Sequence, residues 1–157
     1  IAHEYIRSFK YDLLWLGLSL DEVKELRRKE IPYRNPPAVK VHSETYEVVR
    51  DVIKERKPSL LKYYDCYFKS VIYVFEKLAA SIADGGLIAF FVGDATLAGM
   101  KIPVHRILYE YLNQKNFELI YVNKDEIRRR RLFKKKRKNA NPNGIDLEHL
   151  IIMQKNA

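Results

Sequence analysis

Apolar residues recur at helical spacing near the start of the chain. In residues 3–17 they repeat every three or four positions, which predicts a helix that Gly17 can end. Ser19 with Glu22 three residues later forms a capping-box pattern. This pattern predicts a second helix that runs to about residue 30.

The middle of the chain carries the strongest helical pattern. Three prolines in residues 31–42 cannot continue a helix, so this stretch is predicted to be an extended connection. Ser43 can cap a third helix that ends near residue 57. A broad apolar stripe over residues 59–83 predicts a long helix, which the Asp-Gly-Gly sequence at 84–86 closes.

Short apolar runs replace the helical pattern after residue 86. Residues 87–92, LIAFFV, are continuously apolar, which is typical of a strand buried on both faces. Residues 93–102 are predicted to be a loop, and Pro103 to open a helix. Residues 116–127 and 145–155 are predicted strands. The order strand, helix, strand favours a parallel crossover, and the last two strands should pair antiparallel.

These elements predict an α/β fold that is the C-terminal half of a larger sheet. Only three strands are readable, whereas an α/β sheet usually has five or more. We therefore predict a helical segment over residues 1–58, with the proline-rich linker at 31–42, and the second half of an α/β domain over residues 59–157. A small, complete α+β domain is the alternative.

Composition limits the classes of protein that fit. The 157 residues suffice for one domain with its own core, and the single cysteine, Cys66, excludes an internal disulfide framework. No apolar run approaches the roughly 18 residues of a membrane span, and no signal peptide is apparent. These features predict a cytoplasmic protein.

The positive charge of the chain is concentrated in one stretch. The formal net charge is +9, and residues 128–138, RRRRLFKKKRK, hold nine cations and no acid, so the remainder is neutral. Nine cations between two strands must be solvated, and such runs bind phosphates. The alternatives are a charged loop and a localisation-like segment. The candidate nucleic-acid-binding residues are Arg128, Arg129, Arg130, Arg131, Lys134, Lys135, Lys136, Arg137 and Lys138.

Several segments, taken in order, resemble one enzyme family. They are Tyr5 with LLWLGL at 13–18, KLAASIADGGLIAFFVGD at 77–94, KIPVHRILYEYL at 101–112, and a Phe-Glu-Leu strand at 117–119 that leads to a final strand containing Glu148. Together they resemble the C-terminal half of the S-adenosylmethionine-dependent DNA amino-methyltransferases, which modify N6 of adenine or N4 of cytosine. The likeness extends over roughly residues 3–155.

The resemblance implies a fold, and it implies which functional residues lie outside this chain. It implies a Rossmann-like methyltransferase sheet, with residues 87–92 as the fifth strand and residues 117–124 and 146–154 as the terminal hairpin. The Gly-rich loop that binds the methyl donor in this family has no match in the sequence. S-adenosylmethionine would therefore be bound mainly by residues outside this chain, and the chain alone would be inactive.

The sequence Asn35-Pro36-Pro37-Ala38 resembles the catalytic loop of this family without fulfilling its chemistry. That loop is Asp/Asn/Ser-Pro-Pro-aromatic, and its aromatic residue stacks on the target base that is flipped out of the duplex. Ala38 cannot stack, and the charged residues before Asn35 cannot form a buried strand. We interpret these residues as a linker, and the resemblance places the catalytic loop before residue 1.

The resemblance also implies candidates for the base pocket and for partners. Asp94 and Thr96 follow the fifth strand and would line the base pocket together with Tyr5; a turn in which Asp94 bonds to nearby backbone is the alternative for that residue. The partners would be DNA, with RNA possible, and the N-terminal half of the methyltransferase. The activity would be DNA methylation of the kind used in restriction-modification. A non-enzymatic basic nucleic-acid-binding module and an RNA methyltransferase fragment are the alternative functions.

The four histidines suggest no metal site by their spacing. His3, His42, His105 and His149 lie too far apart in sequence for a metal-ligand motif, so surface or capping roles are predicted and no metal is expected.

Overall fold

The chain is described by a computed structural model that covers residues 9–32, 35–97, 99–126 and 147–157. Among these residues the first half of the chain is helical, and the second half contains five strands and one helix. The elements are α1 Lys10–Trp15, α2 Leu20–Arg28, α3 Glu44–Arg56, a 3₁₀ turn Pro58–Leu60, α4 Leu61–Ser81, β1 Leu87–Gly93, β2 Ala95–Leu97, β3 Met100–Ile102, α5 Val104–Asn113, β4 Phe117–Glu126 and β5 Leu147–Lys155.

Local capping fixes where the helices begin and end. The Ser19 side chain accepts from the backbone of Glu22, whose carboxylate bonds back to the Ser19 backbone, so the predicted capping box is confirmed. Ser43 caps α3 by accepting from the Tyr46 backbone, as predicted. Gly17 has a positive φ of 94° just after α1. No helix among the described residues has both the length and the apolar character needed to cross a membrane.

The main sheet has three strands in the order β1-β5-β4, and both pairs are antiparallel. The predicted antiparallel pairing of the last two strands is therefore confirmed. Because β1 and β4 both run opposite to β5, they run parallel to each other, with α5 in the connection between them. The fold is mixed α/β with antiparallel sheets, and β5 separates the two parallel strands.

One predicted loop is in fact a small hairpin. Residues 93–102 contain β2 and β3, which pair antiparallel with Leu97 opposite Met100. Gly99 in the turn has a φ of 74°, which suits a tight hairpin connection. The loop prediction was wrong because three-residue strands are too short to show a clear alternation.

The core lies between one face of the sheet and helices α3, α4 and α5. Fully buried side chains come from all of these elements: Ile53, Phe68, Ile72, Ile107, Tyr111, Leu112, Phe117, Ile151 and Met153. Phe90 of β1 packs edge-to-face on Phe75 of α4, with ring centroids 5.2 Å apart. Helix α3 thus shares a core with residues beyond 58; the predicted division into two segments there stays a prediction.

The prediction that β1 is buried on both faces was wrong for the described part of the chain. Ile88, Phe90 and Val92 face the helices, but Leu87 and Phe91 on the other side are 60% and 61% exposed. The same side of the sheet carries apolar residues from the neighbouring strands, because directly opposed residues share a face. We call this side the open face; its apolar members are Leu87, Ala89, Phe91, Tyr121, Leu150 and Ile152, and Glu118, Asn123 and Gln154 also lie on it.

A partly buried carboxylate links α5 to the beginning of α3. Glu110 accepts hydrogen bonds from the Ser43 hydroxyl at 2.6 Å, the Thr45 backbone N–H at 3.0 Å and the Thr45 hydroxyl at 2.5 Å. Arg106 also donates to Glu110, at 3.0 Å. Burial alone would raise the pKa of Glu110, but these hydrogen bonds outweigh it and lower the pKa to about 2.

The Glu110→Gln variant is expected to be less stable by about 2–3 kcal/mol, because it weakens charge-assisted hydrogen bonds to partly buried donors. The folded-state pKa lies below the ordinary value of 4.5, so the stabilisation is complete above about pH 4.5 and is lost as pH falls towards 2. Urea unfolding across this pH range measures both effects. Glu55→Gln, on an exposed position of α3, is the control. Equal urea midpoints for Glu110→Gln and the wild type would contradict the assigned role.

Candidate functional site

Three elements of the fold bring Asp94, His105 and His149 together. Asp94 directly follows β1, and its backbone N–H bonds the Leu147 carbonyl at the start of β5. His149 is the third residue of β5 and pairs with Val92, because β5 runs antiparallel to β1. His105 lies in the first turn of α5. The carboxyl end of β1, the beginning of β5 and the beginning of α5 therefore meet at one point.

The three side chains form a compact cluster. Asp94 Oδ1 lies 2.6 Å from His105 Nδ1 and 4.0 Å from His149 Nδ1. The two imidazole rings stack, with centroids 3.7 Å apart and an angle of 19° between their planes. One ligand atom from each residue lies within 4.8 Å of the other two.

The cluster is largely shielded from water and opens on the side of His105. The side chains of Asp94 and His149 are only 12% and 7% exposed, whereas that of His105 is 26% exposed. Nδ1 of His149 is buried and has no hydrogen-bond partner among the described residues. Such a buried, unpaired nitrogen costs free energy unless another group satisfies it.

The surroundings of His149 favour its neutral form. Burial lowers the pKa of His149, and the neighbouring His105 and Lys124 lower it further, while the Asp94 carboxylate acts in the opposite direction. Lys124 stands opposite His149 in the pairing of β4 with β5. A neutral imidazole has a free lone pair, so this ring is suited to accept a proton or to bind a metal ion.

The two base-pocket candidates among the described residues have different surroundings. Asp94 belongs to the cluster, and its side chain bonds His105 rather than serving only a local turn. Thr96 lies in β2, is exposed and pairs with Lys101.

Tyr5 and the candidate nucleic-acid-binding residues at 128–138 lie outside the described residues. Asn35, Pro36, Pro37 and Ala38 lie in no helix or strand, and their interpretation as a linker stays a prediction.

The sequence alone did not identify His105 and His149 as members of a site. Their separation along the chain, 11 and 55 residues from Asp94, matches no metal-ligand motif. The available signal was positional, because Asp94 directly follows a predicted strand, His105 lies at the beginning of the next predicted helix, and His149 lies in the first half of a strand predicted to be antiparallel. That signal becomes specific only once β5 is known to lie directly beside β1.

Comparisons of the chain with protein-family models, with curated proteins and with solved structures found no match.

Proposed function

We propose that this chain forms the C-terminal part of an S-adenosylmethionine-dependent DNA amino-methyltransferase. In this proposal it completes the methyltransferase sheet, borders the pocket for the target base and binds DNA through the cationic stretch at 128–138. The donor site and the catalytic loop belong to an N-terminal half, which is either joined to this chain or a separate polypeptide.

The observation that carries the proposal is the apolar open face of the sheet. A strand as apolar as β1 is typical of α/β sheets whose two faces are both covered. Leu87 and Phe91 are exposed at positions where such a sheet would carry a second layer of helices. Contiguous apolar surface of this kind marks an interface. An N-terminal half with its own helices would cover it.

Two further features support the same assembly. Trp15 and Leu16, within the segment that resembles the family, are 88% and 69% exposed. Strand β1 also pairs on only one edge among residues 9–32, 35–97, 99–126 and 147–157. Further strands beside β1 would use this open edge, and a larger protein would bury the exposed tryptophan.

The position of the cluster agrees with the proposed chemistry. In α/β sheets, ligands bind beyond the carboxyl ends of the strands, and Asp94 lies at that end of β1. The target amino nitrogen attacks the methyl carbon of the donor sulfonium, the carbon–sulfur bond breaks, and the nitrogen then loses a proton. A border of this pocket is the contribution proposed for Asp94 and Thr96.

Calorimetry with S-adenosylmethionine tests whether the donor site lies outside this chain. The complete polypeptide encoded with these residues, or its complex with a separately encoded half, is expected to bind the donor. The 157-residue chain alone is expected to show no binding, because it lacks the Gly-rich loop. Binding by the chain alone would contradict the placement of the donor site. Failure of both proteins to bind would favour the non-enzymatic nucleic-acid-binding module.

A further inference from the structure

We propose that Asp94, His105 and His149 form a binding site for a divalent transition-metal ion of the zinc class. The proposed function requires no metal, so this ion is an addition to it, although Asp94 also borders the proposed base pocket. Two imidazoles and one carboxylate are a common donor set for zinc and its first-row neighbours. Three protein ligands would leave the fourth coordination position open to water on the side of His105.

The ligand atoms of the cluster lie near the distances that a zinc ion requires. Ligand atoms on a tetrahedral zinc ion, each at roughly 2.0–2.1 Å, lie about 3.4 Å apart. The separation from Asp94 Oδ1 is 2.6 Å to His105 Nδ1 and 4.0 Å to His149 Nδ1. These two values lie on either side of the required distance, so movements of less than about 1 Å bring the Asp94 oxygen to that distance from both nitrogens. The stacked rings must tilt apart as the ion enters.

The buried Nδ1 of His149 provides an independent reason for a ligand at this place. The residue is 6% exposed, and this nitrogen has no hydrogen-bond partner among the described residues although a carboxylate oxygen lies 4.0 Å away. An ion between these two atoms would satisfy the nitrogen. It would also explain why two histidines and one aspartate from three separate elements converge.

The identity of the ligands also sets the metal preference. Imidazole nitrogens are poor ligands for Mg²⁺ and Ca²⁺, which prefer oxygen donors. Lys124, opposite His149, places a positive charge near this ring, which weakens the binding of a cation. We therefore expect the site to select Zn²⁺ and Co²⁺ over Mg²⁺.

Isothermal titration of the full chain with Zn²⁺, Co²⁺ and Mg²⁺ tests the site. The expected result is one Zn²⁺ or Co²⁺ bound per chain, no binding of Mg²⁺, and a rise in melting temperature with Zn²⁺. Removing an outer-shell partner of a metal site already costs 10–100-fold in affinity, so His105→Ala and His149→Ala should each cost at least about 100-fold. The matched control, His42→Ala, alters an exposed histidine outside the cluster and should leave the affinity unchanged.

The His105→Ala variant and the spectrum of bound Co²⁺ test the site even if one variant does not fold. His105→Ala alters a partly exposed side chain, so it tests the site even if His149→Ala fails to fold. The absorption spectrum of bound Co²⁺ reports its coordination directly, and tetrahedral nitrogen and oxygen coordination is expected. The proposal would be overturned by the absence of Zn²⁺ binding, by binding that both cluster variants retain, or by binding that His42→Ala abolishes.

Discussion

Neutralising three lysines of the cationic stretch, those at 134–136, is expected to weaken binding to duplex DNA by about 100-fold at 0.1 M salt. Each phosphate contact contributes about 0.9 to the slope of log affinity against log salt, so loss of three contacts should reduce the slope by about 3. The prediction rests on sequence, since these residues lie outside the described part of the chain. Fluorescence anisotropy with a labelled duplex at several salt concentrations measures both quantities.

The control for this variant removes the same number of charges elsewhere. Lys54, Arg56 and Lys57 are exposed at the end of α3, and their replacement by glutamine changes the net charge equally. If net charge alone controlled binding, both triple variants would behave alike. That result, or an unchanged slope for the 134–136 variant, would contradict a local phosphate-binding role.

Placing a charge on the open face is expected to reduce self-association of the isolated chain. Phe91 is 61% exposed in the middle of apolar neighbours, so Phe91→Lys should interrupt the surface without unfolding the core beneath it. Sizing chromatography with light scattering should show oligomers for the wild type and a larger monomer fraction for the variant.

The control for the open face is an equally exposed apolar residue on a helix. Val48 on α3 is 58% exposed, and Val48→Lys should leave the association state unchanged. A wild-type chain that stays monomeric at high concentration would show that the open face does not mediate self-association. If both lysine variants reduced association equally, net charge and not this surface would control it.

The parts of the fold that local chemistry controls could be predicted from the sequence. Ser19 and Ser43 cap helices because their hydroxyls satisfy backbone N–H groups at the first turn, and this depends on residues only three positions away. The long apolar stripe of α4 is likewise visible in the sequence, and the structure places this helix at Leu61–Ser81.

Features that depend on long-range pairing could not be predicted. The position of β5 between β1 and β4 follows from packing across the whole sheet, and it decides which residues adjoin His149. Glu110 reaches Ser43 and Thr45 across more than 60 residues, so its capping of α3 leaves no local signal. The His–Asp cluster escaped prediction for the same reason. The exposure of Leu87 and Phe91 depends on what covers the sheet, which an apolar run alone does not reveal.

The proposed function is tested most directly by an assay of methyl transfer to DNA by the protein that contains this chain. The complete coding region, with its neighbouring genes, would be expressed in a host that lacks DNA amino-methylation, and the host DNA would be analysed for modified bases. We expect N6-methyladenine or N4-methylcytosine within one short sequence motif, and neither when residues 1–157 are expressed alone. Unmodified DNA, together with no S-adenosylmethionine binding by the complete protein, would contradict it.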